Sequence, residues 1–212
     1  MVSSIQIRII IGIAAVVWLI VALMAGNGDQ SLVALRTVSV AGSVTTLLVL
    51  AYDRWIWGWK LVRKFTGKPR LNGTWKGSLQ SDFQRDGKTI DPIPTIIRIK
   101  QTDSSILVTL FTGESSSVTE LSKLIKESDG RWRLTFTYSN TPRQSLRKQS
   151  DRHSGVCDLY IATGKDHTLM GYYFTSRSTS GEMIFREWSK KMYSDAATAN
   201  DNTDFRNANP FA

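Results

Sequence analysis

The chain has 212 residues and a formal net charge of +9. That length suits one membrane element plus one small domain, and the charge points to an anionic partner such as a nucleotide, nucleic acid or lipid headgroup. Cys157 is the only cysteine, which excludes an intramolecular disulfide and a cysteine-based metal site. The two histidines are His153 and His167, and no paired-Cys, HExxH or glycine-rich phosphate-loop motif is present.

Residues 9–25 read IIIGIAAVVWLIVALMA and residues 32–52 read LVALRTVSVAGSVTTLLVLAY. Each run can supply roughly the 20 residues that a bilayer-spanning helix needs. The expectation is an N-terminal two-helix transmembrane hairpin within residues 1–60, with spans over about 7–25 and 32–52. Past the second run come Arg54, Lys60, Arg63, Lys64, Lys68 and Arg70, opposed only by Asp53. The positive-inside rule then puts both termini and all that follows in the cytoplasm of a bacterial inner membrane. Arg36, Ser39, Ser43 and Thr46 recur at three- and four-residue spacing beside Gly42. They share one helix face, which reads either as a face packed on the first helix or as one that joins copies in an oligomer or lines a pore.

Residues 61–70 form a basic linker, and residues 71–190 change to period-two alternation punctuated by turn signals. Eight strands are predicted, over residues 71–82, 95–102, 105–112, 115–125, 132–140, 155–162, 168–176 and 182–188. In meander order they suit an all-β domain, an eight-stranded up-and-down β-barrel. Parity turns Trp132, Leu134, Phe136, Tyr138 and Asn140 inward, and favours Leu169, Gly171, Tyr173, Thr175 and Arg177 inward. Alternating strand direction gathers Ser81, Thr112, Ser115, Ser117, Asn140, Arg143, Thr175, Arg177 and Thr179 at one rim. One arginine among hydroxyls can hold a phosphate, and Tyr138 and Tyr173 can stack on bases. The basic run over 143–152 reads either as an anion clamp or as a solvated loop. Residues 191–212 are polar, aperiodic and expected to be disordered.

The motifs NGTWKG at 72–77, IKQT at 99–102, FTYSNTP at 136–142, HSG at 153–155 and GYYFTSRSTSG at 171–181 occur in this order. With the two apolar runs before them, the chain resembles the two-transmembrane β-barrel effectors of CBASS, anti-phage systems in which a CD-NTase makes a cyclic nucleotide. The resemblance implies that the barrel binds a cyclic dinucleotide, and that the ligand drives homo-oligomerisation of the hairpins in the lipid bilayer and disrupts the inner membrane in abortive infection. It implies a ligand site at Gln101, Thr112, Ser115, Ser117, Tyr138, Asn140, Arg143, Tyr173, Thr175, Arg177 and Thr179. It implies a non-enzyme with no cofactor, no metal and no DNA or RNA polymer as partner. The alternative is a membrane-tethered, lipocalin-like barrel for an apolar ligand or a protein partner.

Overall fold

The computed structural model describes residues 4–24, 30–85, 87–146, 151–162, 168–202 and 204–207. The chain divides into a helical unit, residues 1–68 with 102–104, and a β unit, residues 69–101 with 105–212. Among the described residues the α-helices in chain order are α1 (Ser4–Met24), α2 (Gln30–Arg54), α3 (Lys60–Thr66) and α4 (Ala196–Asn200). The strands are β1 (Gly73–Ser81), β2 (Gln84–Arg85), β3 (Lys88–Thr89), β4 (Ile93–Gln101), β5 (Ile106–Phe111), β6 (Ser115–Lys126), β7 (Trp132–Pro142), β8 (His153–Ala162), β9 (Thr168–Thr175), β10 (Ser180–Ser189) and β11 (Arg206–Asn207).

In the helical unit, α3 stops at Gly67, whose φ of 63° lets its N–H reach the Arg63 carbonyl at 2.7 Å. The turn 102–104 belongs to this unit. There the Asp53 carboxylate at the end of α2 accepts from the Ser104 N–H at 2.7 Å, and Lys68 Nζ bridges to Asp103 at 3.0 Å.

No helix among the described residues is long and apolar enough to cross a membrane. This overturns the transmembrane hairpin expected over 7–25 and 32–52, and with it the multi-pass inner-membrane location of the barrel and termini. Ser4, Gln6 and Arg8 fall in the opening turns of α1. The apolar stretch left, Ile9 to Met24, rises about 24 Å at 1.5 Å per residue, against about 30 Å of hydrocarbon. In α2, Arg36 and the hydroxyl residues Thr37, Ser39, Ser43, Thr45 and Thr46 interrupt the apolar run, and charge is costly in a bilayer. The side chain of Arg36 lies outside the described residues. Ser39, Gly42, Ser43 and Thr46 are exposed. The Ser43 hydroxyl donates to the Ser39 carbonyl and the Thr46 hydroxyl to the Gly42 carbonyl, each at 2.9 Å.

In the β unit, alternation becomes a closed wall. β1, β4, β5, β6, β7, β8, β9 and β10 pair antiparallel in that order, and β1 pairs back onto β10 to close an eight-stranded barrel. Closure removes the unpaired edges of an open sheet. At Gly77 the register of β1 against β10 shifts, and a Cβ there would sit 2.0 Å from the Ile184 carbonyl oxygen. Only glycine permits this approach at the bend. Residues on the inward parity fill the lower barrel: Trp75, Ile97, Ile99, Leu134, Phe136, Leu159, Ile161, Leu169, Met183 and Phe185 are buried. The Trp75 indole N–H donates to the Leu71 carbonyl at 2.9 Å, so the largest core side chain carries no unpaired donor.

The chain past residue 190, expected to be disordered, carries α4 and β11 among the described residues. Asp195 caps α4, its carboxylate accepting from the Thr198 N–H at 2.8 Å. Tyr193, Ala196 and Ala199 bury against Ile96 on the outside of β4, joined by Phe111 and Phe205. β11 pairs with β10 at Glu187 and Trp188, beyond the last residue of β10 that β9 covers. A small β2–β3 hairpin was also not expected from the sequence. Deleting residues 191–212 exposes the Ile96–Tyr193 cluster and should destabilise the barrel by about 2–4 kcal/mol. Urea unfolding of the two lengths checks this, and equal midpoints would contradict it.

Candidate functional site: the polar mouth of the barrel

The strand ends at β1/β4, β5/β6, β7/β8 and β9/β10 form one rim. Inward residues turn from apolar to polar as they approach it. Along β7 the inward row runs Leu134, Phe136, Tyr138, Asn140. Along β9 it runs Leu169, Gly171, Tyr173, Thr175.

Tyr138 and Tyr173 make the floor, at 6% and 5% exposure. Both lie opposite glycine. Gly155 faces Tyr138 across β7–β8, and a Cβ there would come within 2.5 Å of the phenol oxygen. Gly181 faces Tyr173 across β9–β10, and a Cβ there would come within 2.6 Å of the ring. The missing side chains give the rings their space. Burial pushes the Tyr138 hydroxyl well above its ordinary pKa, with smaller contributions from Cys157 and Tyr173, and the Arg177 cation opposes this. Burial also raises Tyr173, against a hydrogen bond to Ser81 and the Arg177 charge. Both therefore remain phenols at neutral pH.

On one side of the floor, the Asn140 amide donates to Ser115 Oγ at 2.9 Å and Ser117 Oγ at 2.8 Å. The Thr112 hydroxyl lies 3.2 Å from Ser115 Oγ and accepts from the Ser115 N–H at 3.0 Å, closing the β5–β6 turn. Across the mouth, Thr175 Oγ1 accepts from the N–H groups of Arg177 and Thr179 at 3.2 and 3.3 Å and lies 2.7 Å from the Thr179 hydroxyl. Ser178 holds a φ of 58° in this turn, an uncommon conformation for a residue with a side chain.

Thr112, Ser115, Ser117, Tyr138, Asn140, Tyr173, Thr175 and Thr179 thus share the mouth. Arg177 shares it from the turn that follows β9. Its charge acts on Tyr138, Tyr173 and His153 together. Arg143 lies just past β7 and is exposed, its N–H donating to the Glu114 carbonyl at 2.9 Å. Residues 147–150 of the basic run lie outside the described residues, as does His167.

Gln101 does not join this set. It ends β4, at the opposite rim, where its side chain accepts from the Leu71 N–H at 2.7 Å and donates to the Pro69 carbonyl at 3.0 Å. Its amide is used in closing the lower end of the barrel. The implied ligand site did not include Ser81, which strand order had put at this rim and which bonds Tyr173, the two glycines that admit the tyrosines, or His153. The glycines carry no side-chain signal, and their role follows only from strand register.

The mouth offers an aromatic floor, neutral donors and acceptors on two sides, and a cation above. That combination fits a planar, anionic ligand with sugar hydroxyls. A family model described as the Cap15 cyclic dinucleotide receptor domain matches residues 66–187, more than half of the chain. A relative described as CD-NTase-associated protein 15, from Staphylococcus schleiferi, is 24% identical over 151 residues, covering 71% of this chain and 78% of its own length. The chain belongs to the Cap15 family of cyclic dinucleotide receptor domains, the CBASS family its motifs resemble.

Proposed function

We propose that the mouth receives a cyclic dinucleotide made by a CD-NTase, that the chain acts on it as a receptor and not as a catalyst, and that occupancy drives association of copies of the chain. The observation carrying this reading is that the receptor-domain match, residues 66–187, contains the Tyr138–Tyr173 floor, the Asn140 network and Arg177. Phosphates meet Arg177 and the hydroxyls of the β9–β10 turn, while a base lies on the tyrosines. A lipocalin-like apolar cargo is less well served, because Trp75, Phe136, Met183 and Phe185 already fill the barrel below the floor.

The output proposed is self-association along the exposed small-residue face of α2 at Ser39, Gly42, Ser43 and Thr46. The Ser43 and Thr46 hydroxyls are satisfied within the helix, so a partner helix approaches without stripping them of hydrogen bonds. Sedimentation velocity with and without saturating cyclic dinucleotide tests this. A ligand-dependent rise in sedimentation coefficient, lost in Gly42→Leu, is expected. An unchanged coefficient at saturation would remove association from the account and leave ligand binding standing.

A further inference from the structure

His153 opens β8 on the same face as Gly155 and the buried Cys157, the face that points into the barrel. It pairs in register with Asn140 of β7. On its other side the β9–β10 turn is tied to β8, the Ser176 N–H donating to the Ser154 carbonyl at 2.9 Å and Ser176 Oγ accepting from the Ser154 N–H at 3.3 Å. These bonds hold the turn that carries Arg177 against the start of β8, and the Arg177 charge reaches the imidazole. His153 Nδ1 lies 3.2 Å from the Asp151 carbonyl. A carbonyl only accepts, so Nδ1 carries the proton and the neutral ring presents a lone pair at Nε2.

Resting on the receptor reading above, we propose that His153 is a ligand-facing residue of the mouth that recognises the phosphodiester backbone with Arg177, and that it takes up a proton as the ligand arrives.

A neutral imidazole offers a phosphate oxygen only a lone pair, whereas an imidazolium offers an N–H and a charge. Protonation at Nε2 leaves the bond to Asp151 intact, so no rearrangement of the strand is needed. In the free chain the imidazole is held below its ordinary pKa, first by burial and then by the Arg177 charge, with the Asp151 carbonyl opposing. The ring is therefore neutral at pH 7. The other charged or titratable groups around it are Tyr138 on β7, a phenol, Arg143 past the end of β7, and Asp151 and Arg152 on its own approach. Two phosphates entering beside Arg177 reverse the local field and raise the histidine's pKa in the complex. A group whose pKa rises on binding makes binding tighter as pH falls through the interval between its free and bound values. That interval begins below 6.5, because the free value is depressed.

The test is calorimetric titration of the full chain with 3′,3′-cyclic dinucleotides of adenine, guanine and uracil, at constant ionic strength, at pH 8.0 and 5.5. Each titration is repeated near pH 6 in two buffers of different ionisation enthalpy, to count protons. The expected result is an affinity about three- to tenfold higher at the lower pH, with proton uptake near pH 6. His153→Gln should bind with less than about a twofold change across the same range and take up no proton. The same pH gain and proton uptake in His153→Gln would assign them to another group and overturn the proposal. Affinity that falls on acidification in the native chain would overturn it too, because His153 would then be accepting from the ligand through Nε2. If the folded native chain binds none of the cyclic dinucleotides at either pH, the receptor reading fails and this proposal with it. Binding with a flat pH profile fails the proposal alone.

Discussion

Arg177→Ala lowers the affinity for a cyclic dinucleotide about 10- to 100-fold while the barrel unfolds at the native midpoint. The magnitude is that of one or two charge-assisted hydrogen bonds, about 1.5–3 kcal/mol. The binding loss follows from position. Arg177 is the cation whose charge reaches both floor tyrosines and His153. Stability is spared because the side chain is exposed and the turn is pinned by backbone bonds to Thr175 Oγ1, which alanine keeps. The variant also reads out by salt. A site that holds phosphate through a guanidinium weakens as ionic strength rises, so the native chain loses affinity between low and high salt more steeply than Arg177→Ala. Equal affinities in the two chains would remove Arg177 from the site. Parallel salt profiles would assign the anion to another group.

Trp75→Ala has the largest effect on folding, a loss of about 3–5 kcal/mol, the usual range for truncating a buried aromatic. Trp75 is 1% exposed, packs in the main core and anchors Leu71 through its indole N–H. The hole would lie in the lower barrel, where β1 pairs with both β4 and β10. Closure of the barrel therefore depends on it. Chemical denaturation monitored by far-ultraviolet circular dichroism measures the loss. A change below about 1 kcal/mol would mean that the surrounding side chains collapse into the hole, which a closed wall resists.

The barrel was legible because inward and outward residues alternate over long runs. In β7, the row Leu134, Phe136, Tyr138, Asn140 against Arg133, Thr135, Thr137, Ser139 fixes by itself which face turns inward. β4 was predicted to begin at residue 95 and begins at Ile93, because its partner is β1 and not a turn signal. The C-terminal helix was missed for a different reason. Five residues, Ala196–Asn200, are too few to form a helix on propensity alone. What orders them is tertiary, the burial of Tyr193 and Ala199 on β4, although Asp195 ahead of Ala196 was a readable cap. The hairpin expected at the N-terminus illustrates a limit of counting apolar residues. Polar residues at the start of α1 and through α2 shorten the apolar stretches below a crossing.

The mouth was legible from strand order, since ends of alternate strands meet. Gln101 breaks that same rule, because it ends the second barrel strand and must lie at the other rim, where it bonds Leu71 and Pro69. It entered by resemblance, and geometry removes it. The glycines opposite Tyr138 and Tyr173 were in view as residues but not as partners, because cross-strand register is not written in either strand alone.

The central claim is that the mouth is a cyclic dinucleotide site. Calorimetric titration of the native chain at pH 7 and low salt, against the panel of cyclic dinucleotides with a fatty acid as control, tests it most directly. The account predicts saturable binding of at least one cyclic dinucleotide with a stoichiometry of one per chain, weakened by salt and by Arg177→Ala, and no binding of the fatty acid. A folded chain that binds the fatty acid and is silent to every cyclic dinucleotide would contradict it.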